Sequence, residues 1–212
     1  MLSIGVGVGI AGIFAESIFF QDYWRPPLLF SLGHFGGIED FLFGFALGGV
    51  GTALYGVVFH KRFRKKGNPH LWIIPLLILS ELVCIWIFFY GFKINSIYAS
   101  AIGFIIPSFI IMIVRKDLIV ETIFSAILVG SLMVFLEMLV LLFAPTYLAN
   151  FYLLYGKAPL LFSIVPITEF LWGTSFASVA GPLFDFEYGD VPIAFVKKKQ
   201  KRIRDKKYTE LP

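Results

Sequence analysis

The sequence has little charge, a single cysteine and no segment long enough for a soluble catalytic domain between its apolar stretches. Only 15% of its 212 residues are charged and 58% are hydrophobic, whereas about a quarter of the residues in a typical soluble domain are charged. Cys84 is the one cysteine, which excludes a disulfide framework. The three histidines are scattered without metal-ligand spacing. No metal and no cofactor is therefore predicted.

The apolar segments themselves are long enough to cross a lipid bilayer. A membrane-spanning helix needs about 20 predominantly apolar residues. Six predicted spans meet this requirement, at residues 3–20, 38–59, 71–91, 96–114, 118–143 and 164–185. The sequence therefore predicts an all-α integral membrane helical bundle of about six transmembrane helices within residues 1–195. A basic tail follows at residues 196–212.

The basic residues indicate how this bundle is oriented. Fifteen of the 18 Lys and Arg residues follow spans two, four and six, and the exceptions are Arg25, Lys93 and Lys157. The positive-inside rule places the basic side in the cytoplasm. We therefore expect a multi-pass protein of the cell membrane with both termini cytoplasmic. The tail is interpreted as facing lipid headgroups, and no nucleic-acid partner is expected.

A sequence motif occurs twice. The pentapeptide PLLFS stands at residues 27–31 and again at 159–163, and each copy is followed by an acidic motif, IEDFLFG at 38–44 and ITEFLWG at 167–173. An even number of span-to-span steps separates the copies, so the two units run parallel, related by an axis along the membrane normal. The predicted units cover about 3–60 and 118–190, joined by the spans at 71–91 and 96–114.

Small residues follow each acidic motif at helical spacing. Asp40 is followed at steps of four by Gly44 and Gly48, and Glu169 is followed by Gly173. Residues at such spacing share one helix face. Each acid should therefore lie above a narrow groove in which another helix or a flat ligand can approach closely.

Carboxylates within the spans are the candidate functional groups. No Lys or Arg lies deep in a span, so these acids must hold a proton, share one, or bind a cationic partner. A plain structural alternative is hydrogen bonding between helices by protonated acids. The acids within or at the edges of the spans are Glu16, Glu39, Asp40, Glu81, Glu137 and Glu169.

Aromatic residues stand beside the repeated acids. Phe41 and Phe43 follow the first acidic motif, and Phe170 and Trp172 follow the second. Aromatic faces stabilise cations, although packing against lipid or against other helices explains most Phe residues of a membrane protein. Tyr23, Trp24 and Trp72 are interpreted as anchors at the membrane interface.

The two acidic motifs resemble those of the lycopene cyclase domain family, which comprises small, flavin-independent membrane carotenoid cyclases. The family motif is Pro-x-Glu-Glu followed by Tyr/Phe-Leu-Phe-Phe. Residues 37–43 and 166–172 are similar to its two copies. The first copy has Gly37 in place of proline and Asp40 in place of glutamate, and the second has Thr168 where an acid is expected.

The resemblance implies acid-catalysed, non-redox cyclisation of an acyclic isoprenoid end group, the chemistry of an intramolecular lyase or isomerase in carotenoid biosynthesis. It implies a carotenoid substrate and no cofactor. Glu39, Asp40 and Glu169 would then supply the proton donor and the cation stabiliser, supported by Glu16 and Glu137. The expected substrate groove comprises Phe41, Phe43, Gly44, Gly48, Phe170, Trp172 and Gly173.

Two other functions stay open at this point. A small proton-coupled transporter would use the same acids as a relay and the small-residue faces as moving interfaces. A non-catalytic assembly subunit would use those faces to bind a partner, as a homo- or hetero-oligomer. In all three cases the surroundings are the lipid bilayer.

Overall fold

The computed structural model describes residues 2–61, 63–65 and 68–192, and helices account for most of them. The helices are α1 (Leu2–Asp22), α2 (Ile38–Val58), α3 (Ile74–Ile85), α4 (Ser96–Gly103), α5 (Ile105–Val114), α6 (Ile119–Phe143), α7 (Tyr147–Phe151) and α8 (Ile167–Tyr188). A π-helical segment, Trp86–Gly91, continues α3. The predicted basic tail at 196–212 lies outside the described residues.

Short strands form three two-stranded antiparallel pairs in the described part of the chain. The strands are β1 (Ser31–Leu32), β2 (Phe35–Gly37), β3 (Phe63–Lys65), β4 (Leu160–Leu161), β5 (Val165–Pro166) and β6 (Asp190–Pro192). β1 pairs with β2, β4 with β5, and β3 with β6. In each of the first two pairs, the first strand begins within a PLLFS copy and the second strand ends directly before the acidic motif. We call this end of the bundle the motif end, and the opposite end, with β3 and β6, the basic end.

The helices confirm an all-α membrane bundle. Five segments of the described residues are long and apolar enough to cross a membrane, namely Leu2–Asp22, Ile38–Val58, Ile74–Gly91, Ser96–Val114 and Lys116–Phe143. The predicted sixth span corresponds to α8, which has 22 residues but does not reach this hydropathy. Because α8 packs against α2, α4, α5 and α6, it meets protein where the other helices meet lipid. A helix so enclosed can carry polar residues on its surface.

The first half of the repeat is a tight antiparallel hairpin of α1 and α2. A Cβ added to Gly44 would lie 2.8 Å from the carbonyl oxygen of Val8 and 3.0 Å from the Cα of Gly9. A Cβ on Gly48 would lie 2.9 Å from the side chain of Val8. The small-residue face of α2 therefore brings two helix backbones together, as such faces do in membrane bundles.

The second half is built in the same way from α6 and α8. A Cβ on Gly173 would lie 2.9 Å from Met133 and 3.3 Å from the Cα of Gly130. Farther along the same interface, a Cβ on Gly181 would overlap Ser125. These pairs run in opposite directions along the two helices, so α6 and α8 form an antiparallel hairpin equivalent to that of α1 and α2.

A pseudo-twofold axis relates the two hairpins. A twofold axis brings equivalent residues together only where they lie beside it. Tyr23 and Tyr152 are offset by 129 residues, and their rings meet with centroids 5.3 Å apart. Gly51 and Ala180 have the same offset, and a Cβ on Gly51 would lie 3.5 Å from that of Ala180. At the basic end, the strands that follow α2 and α8 pair with each other. The axis therefore runs along the helices, as the parallel repeat requires.

The hydrophobic core lies around this axis. Leu47 of α2, Val129 of α6 and Phe176 of α8 are buried together, with Ala177 and Ala180 between them. At the basic end, Phe186 and Ile111 are fully buried. The helices α3, α4 and α5 enclose α8 from the other side and contribute Leu77 and Ile111 to this second cluster.

Candidate functional site

Four acids of the two hairpins gather at the motif end, and we call them the motif-end acid cluster: Glu16, Asp40, Glu137 and Glu169. Glu16, Asp40 and Glu169 are each at least nine-tenths buried. Ring contacts and hydrogen bonds of residues 23, 24 and 152 link the members from one hairpin to those from the other. Four of the six acids that the sequence singles out therefore lie at the motif end, and Glu39 and Glu81 are outside this cluster.

Glu16 and Asp40 adjoin each other across Gly36. A Cβ at Gly36 would lie 2.5 Å from Oδ2 of Asp40 and 2.9 Å from Cγ of Glu16, so the absent side chain leaves room for both acids. Oε2 of Glu16 accepts a hydrogen bond from the indole Nε1 of Trp24 at 3.0 Å. Oδ2 of Asp40 accepts one from the backbone N–H of Gly37 at 2.6 Å. Asp40 thus caps the first turn of α2 as well as facing Glu16.

Glu169 has the equivalent position in α8 but a different partner. The residue that precedes α8 is Pro166, which has no N–H to donate. The cap that holds Asp40 is therefore absent at Glu169. Instead, the phenol of Tyr23 from the other hairpin donates a hydrogen bond to Oε1 of Glu169. One acid of the repeat is held by its own helix terminus, and the other is free to bind across the pseudo-twofold axis.

Two tyrosines complete the cluster on the side of Glu137. Burial raises the pKa of the Tyr152 phenol well above its usual value, and the negative charges of Glu137 and Glu16 raise it further. Burial, with the same two acids, also raises the pKa of Tyr147. Both phenols therefore stay protonated at physiological pH and can donate hydrogen bonds to the acids. Oε1 of Glu137 is buried and has no hydrogen-bond partner among the described residues.

Glu39 points away from this cluster. Its Oε1 accepts a hydrogen bond from the backbone N–H of Leu29 at 2.5 Å, within the first PLLFS loop. The equivalent residue in α8 is Thr168, which is buried with no partner for its hydroxyl among the described residues. Of the three acids predicted to be catalytic, the structure brings Asp40 and Glu169 into the cluster and leaves Glu39 at the loop.

An aromatic group lies one turn below Glu169. The ring of Trp172 stacks on Phe176 with centroids 5.5 Å apart and meets Phe19 and Phe104 edge-on, each at 6.4 Å. Its indole Nε1 is buried without a hydrogen-bond partner in the described part of the chain. The helices α1 and α8, with Phe104 from the junction of α4 and α5, thus supply a nest of aromatic rings near a buried carboxyl.

The other residues predicted for the groove lie along the hairpin interfaces or on the outer surface. Gly44 and Gly48 contact α1, and Gly173 contacts α6, so these faces hold a neighbouring helix. Phe41 and Phe170 lie against Gly9 and Gly130 of the same interfaces. The ring of Phe43 is 51% exposed and faces outward.

Sequence reasoning gave Tyr23 and Trp24 the wrong role. They were interpreted as interface anchors, yet Tyr23 is only 6% exposed and both side chains donate to buried acids. Their place directly after the first span could have suggested this, because Tyr152 stands at the matching position of the second unit. Trp72 is 73% exposed and remains consistent with an anchor.

A second acidic site lies at the basic end. Glu121, in the first turn of α6, and Asp185, in the last turns of α8, are both buried, and their carboxyls interact with each other. Beside them, Arg115 forms an ion pair with Asp117 at 2.7 Å. It is the one ion pair within residues 2–61, 63–65 and 68–192. Arg115, one of the basic residues on the predicted cytoplasmic side, is only 7% exposed.

Comparison with protein-family models, with curated proteins and with solved structures finds no match to this chain.

Proposed function

We propose that this chain is a membrane-embedded carotenoid cyclase that closes the end group of an acyclic, lycopene-like isoprenoid by acid chemistry without redox change. The observation that carries the proposal is that Asp40 and Glu169, one acid from each half of the repeat, are both buried at the motif end, where side-chain contacts between the two hairpins link them. Within the described residues no Lys or Arg reaches this layer. Its acids therefore hold protons or stabilise a cation, which is what such a reaction requires.

The reaction needs a proton donor, a cation stabiliser and a base, and it balances without a co-reactant. A carboxylic acid transfers its proton to the terminal double bond of the isoprenoid. The resulting carbocation is attacked by a neighbouring double bond, which forms the new C–C bond of the six-membered ring. A carboxylate then removes a proton from the ring carbocation, so the product is an isomer of the substrate.

The different surroundings of the two repeated acids suggest how the roles are divided. Asp40 accepts an amide N–H, and an amide donor stabilises the carboxylate form. Asp40 is therefore assigned to stabilise the cation and remove the proton. Among the described residues, no backbone amide donates to the carboxyl of Glu169, whose partner is the phenol of Tyr23. Glu169 is therefore assigned as the donor.

The aromatic nest fits the intermediate of this reaction. A carbocation is stabilised electrostatically by aromatic faces within about 6 Å of the ring centroid. Trp172 lies three residues after Glu169, on the adjoining face of α8, with Phe176 stacked below it. A cation generated by proton transfer from Glu169 would form beside these rings.

The test is expression in a lycopene-producing bacterial host, followed by pigment analysis. Glu169→Gln keeps the shape of the side chain but removes the acidic proton, and it should lower cyclisation at least about 100-fold, the lower end of general acid–base contributions. Asp40→Asn should have an effect of similar size. Glu187→Gln, the same change at the other end of α8, serves as the matched control and should cyclise lycopene like the parent.

A further variant tests the division of roles. Pro166→Gly restores an N–H at the start of α8, which can cap Glu169 in the way Gly37 caps Asp40. We expect cyclisation to fall about 10-fold or more while the protein still folds, because the donor is then stabilised as a carboxylate. If the parent and all variants give the same pigments, the acids are structural. If the parent leaves lycopene unchanged but dissipates an imposed proton gradient in vesicles, the acids serve proton transport.

A further inference from the structure

The cyclase proposal makes no use of the acids at the basic end, and these have features of a separate site. Glu121 and Asp185 are 3% and 4% exposed, and their carboxyls interact with each other. The contact of Ser125 with Gly181 places the two acids opposite each other one turn farther along the antiparallel helices. Two adjacent ionised carboxylates repel each other, and neither can donate a hydrogen bond. A cation shared by the two carboxyls removes this repulsion.

The adjacent guanidinium does not supply this charge directly to the pair. Arg115 donates through Nε and Nη2 to both carboxylate oxygens of Asp117, at 2.9 and 2.7 Å. Nη1 also donates to the backbone carbonyl oxygen of Asp185 at 3.1 Å, and Nη2 to that of Asp190 at 2.6 Å. Arg115 thus neutralises Asp117 and secures the end of α8, and among the described residues it makes no hydrogen bond to the side-chain carboxyls of Glu121 and Asp185.

Unpartnered oxygens face the same junction of three helices. Oε2 of Glu121 is buried and has no hydrogen-bond partner among the described residues. One turn along α6, the hydroxyl of Ser125 is also unpartnered there, and this side chain is fully buried against Gly181 of α8. From α2, the phenol of Tyr55 interacts electrostatically with Glu121, and the carbonyl oxygen of Gly51 faces Gly181.

We propose that this junction binds one small monovalent cation, either a proton or Na⁺. All the available ligand atoms are oxygens, which suit hard cations, and no thiolate or imidazole among the described residues joins them to favour a transition metal. A proton shared between two carboxyls and a Na⁺ held by two carboxylates leave the same net charge. One ion can therefore replace the other without changing the net charge of the site.

Other charged and titratable groups around the pair must be accounted for in a test. Asp190 follows α8, Asp117 precedes α6, and the imidazole of His70 stacks on Phe186, the neighbour of Asp185, with ring centroids 5.0 Å apart. Measurements in a His70→Gln background remove the contribution of the imidazole.

The decisive measurement is proton release from the purified full-length protein in weakly buffered detergent solution when NaCl is added, with KCl as the control salt. A Na⁺ site predicts saturable release of about one proton per chain, and a rise in Tm of about 5–10 °C at a Na⁺ concentration about 100-fold above the Kd. Glu121→Gln and Asp185→Asn should abolish the release. Glu81→Gln, which changes another buried acid that lacks a partner in the described structure, should retain it.

A site that binds only a proton predicts a different outcome. The Tm should be insensitive to Na⁺ but should fall as the pH rises, because loss of the shared proton leaves two adjacent carboxylates that repel each other in the folded protein. Glu121→Gln should remove this pH dependence, since its amide can donate to Asp185 permanently. If the single variants do not fold, the double variant Glu121→Gln/Asp185→Asn replaces them in the proton test. Ser125→Ala then replaces them in the Na⁺ test. If the parent shows neither a Na⁺ response nor a pH dependence that these variants remove, the proposal is overturned.

Discussion

The closeness of α1 and α2 can be tested by adding one methyl group at two glycines of the same helix. At Gly49 an added Cβ has nothing within 4 Å. Alanine there should stabilise the protein by about 1 kcal/mol, the usual difference from glycine in a helix. At Gly44 the same methyl would lie 2.8 Å from a backbone oxygen of Val8 and 3.0 Å from the Cα of Gly9. Backbone atoms cannot rotate away, so the helices must separate.

The expected difference follows from these two environments. Both variants gain the same helix propensity, and overpacking of a close interface costs about 1–3 kcal/mol, so Gly44→Ala should be less stable than Gly49→Ala by about 1–3 kcal/mol. For a chain of this size, 1 kcal/mol corresponds to about 2–4 °C in Tm. The two variants should therefore melt about 2–12 °C apart. Gly7→Ala, on the open face of α1, should behave like Gly49→Ala.

The protein provides its own probe for this measurement. Cys84 is the one cysteine of the chain and is 5% exposed in α3. A thiol-reactive fluorophore should label it only as the bundle opens, so labelling during a thermal ramp in detergent reports unfolding. Equal melting of Gly44→Ala and Gly49→Ala would show that the two backbones are not in contact, and the hairpin packing described above would be wrong.

Two further predictions concern the motif end and the orientation. Tyr23→Phe removes the phenol that Glu169 binds, and it should lower lycopene cyclisation about 10-fold and stability by about 1–3 kcal/mol, the cost of an unsatisfied buried group; unchanged pigment and unchanged Tm would dismiss the cross-hairpin bond. Reporter fusions at Lys65 and Lys157 should report opposite sides of the membrane, and the same side for both would contradict two cytoplasmic termini.

The membrane fold could be predicted from the sequence because its main signal is local. A run of about 20 apolar residues is visible without knowledge of its neighbours, and five such helices are present in the described residues. The helix α8 shows the limit of this reasoning. Its acids and hydroxyls are accommodated because other helices surround it, and this enclosure depends on the packing of the whole chain.

The site was predicted only in part, for a related reason. The repeated motifs pointed to Asp40 and Glu169, since duplication at a fixed offset is readable in the sequence. The partners of these acids were not readable. Aromatic residues at the end of a span are usually interface anchors, and only the contact between the two hairpins shows that Tyr23 turns inward to Glu169. Likewise, the sequence places Arg115 among the cytoplasmic charges and does not reveal that this residue is buried.

The acids of the two units do not all have the same spacing in the sequence, because the second unit contains an insertion. Tyr23 and Asp40 are 17 residues apart, and so are Tyr152 and Glu169. Glu16 and Tyr23, however, are 7 residues apart, whereas Glu137 and Tyr152 are 15 apart. The additional residues include α7. The loop and the acid that follows it have kept their spacing, while the connection from the preceding helix has not.

The pseudo-symmetry also explains how one duplicated motif can serve two chemical roles. In a perfect repeat, both acids would have the same surroundings and would compete for the same protonation state. Here Gly37 precedes α2, whereas Pro166 precedes α8. Asp40 therefore has an amide donor that Glu169 lacks. Acid–base catalysis by two carboxyls requires surroundings that separate their protonation states. In the proposed cyclase reaction, the two acids therefore take different roles because of this departure from symmetry. The Pro166→Gly variant restores the symmetry and leaves every carboxyl in place. It should therefore weaken the activity.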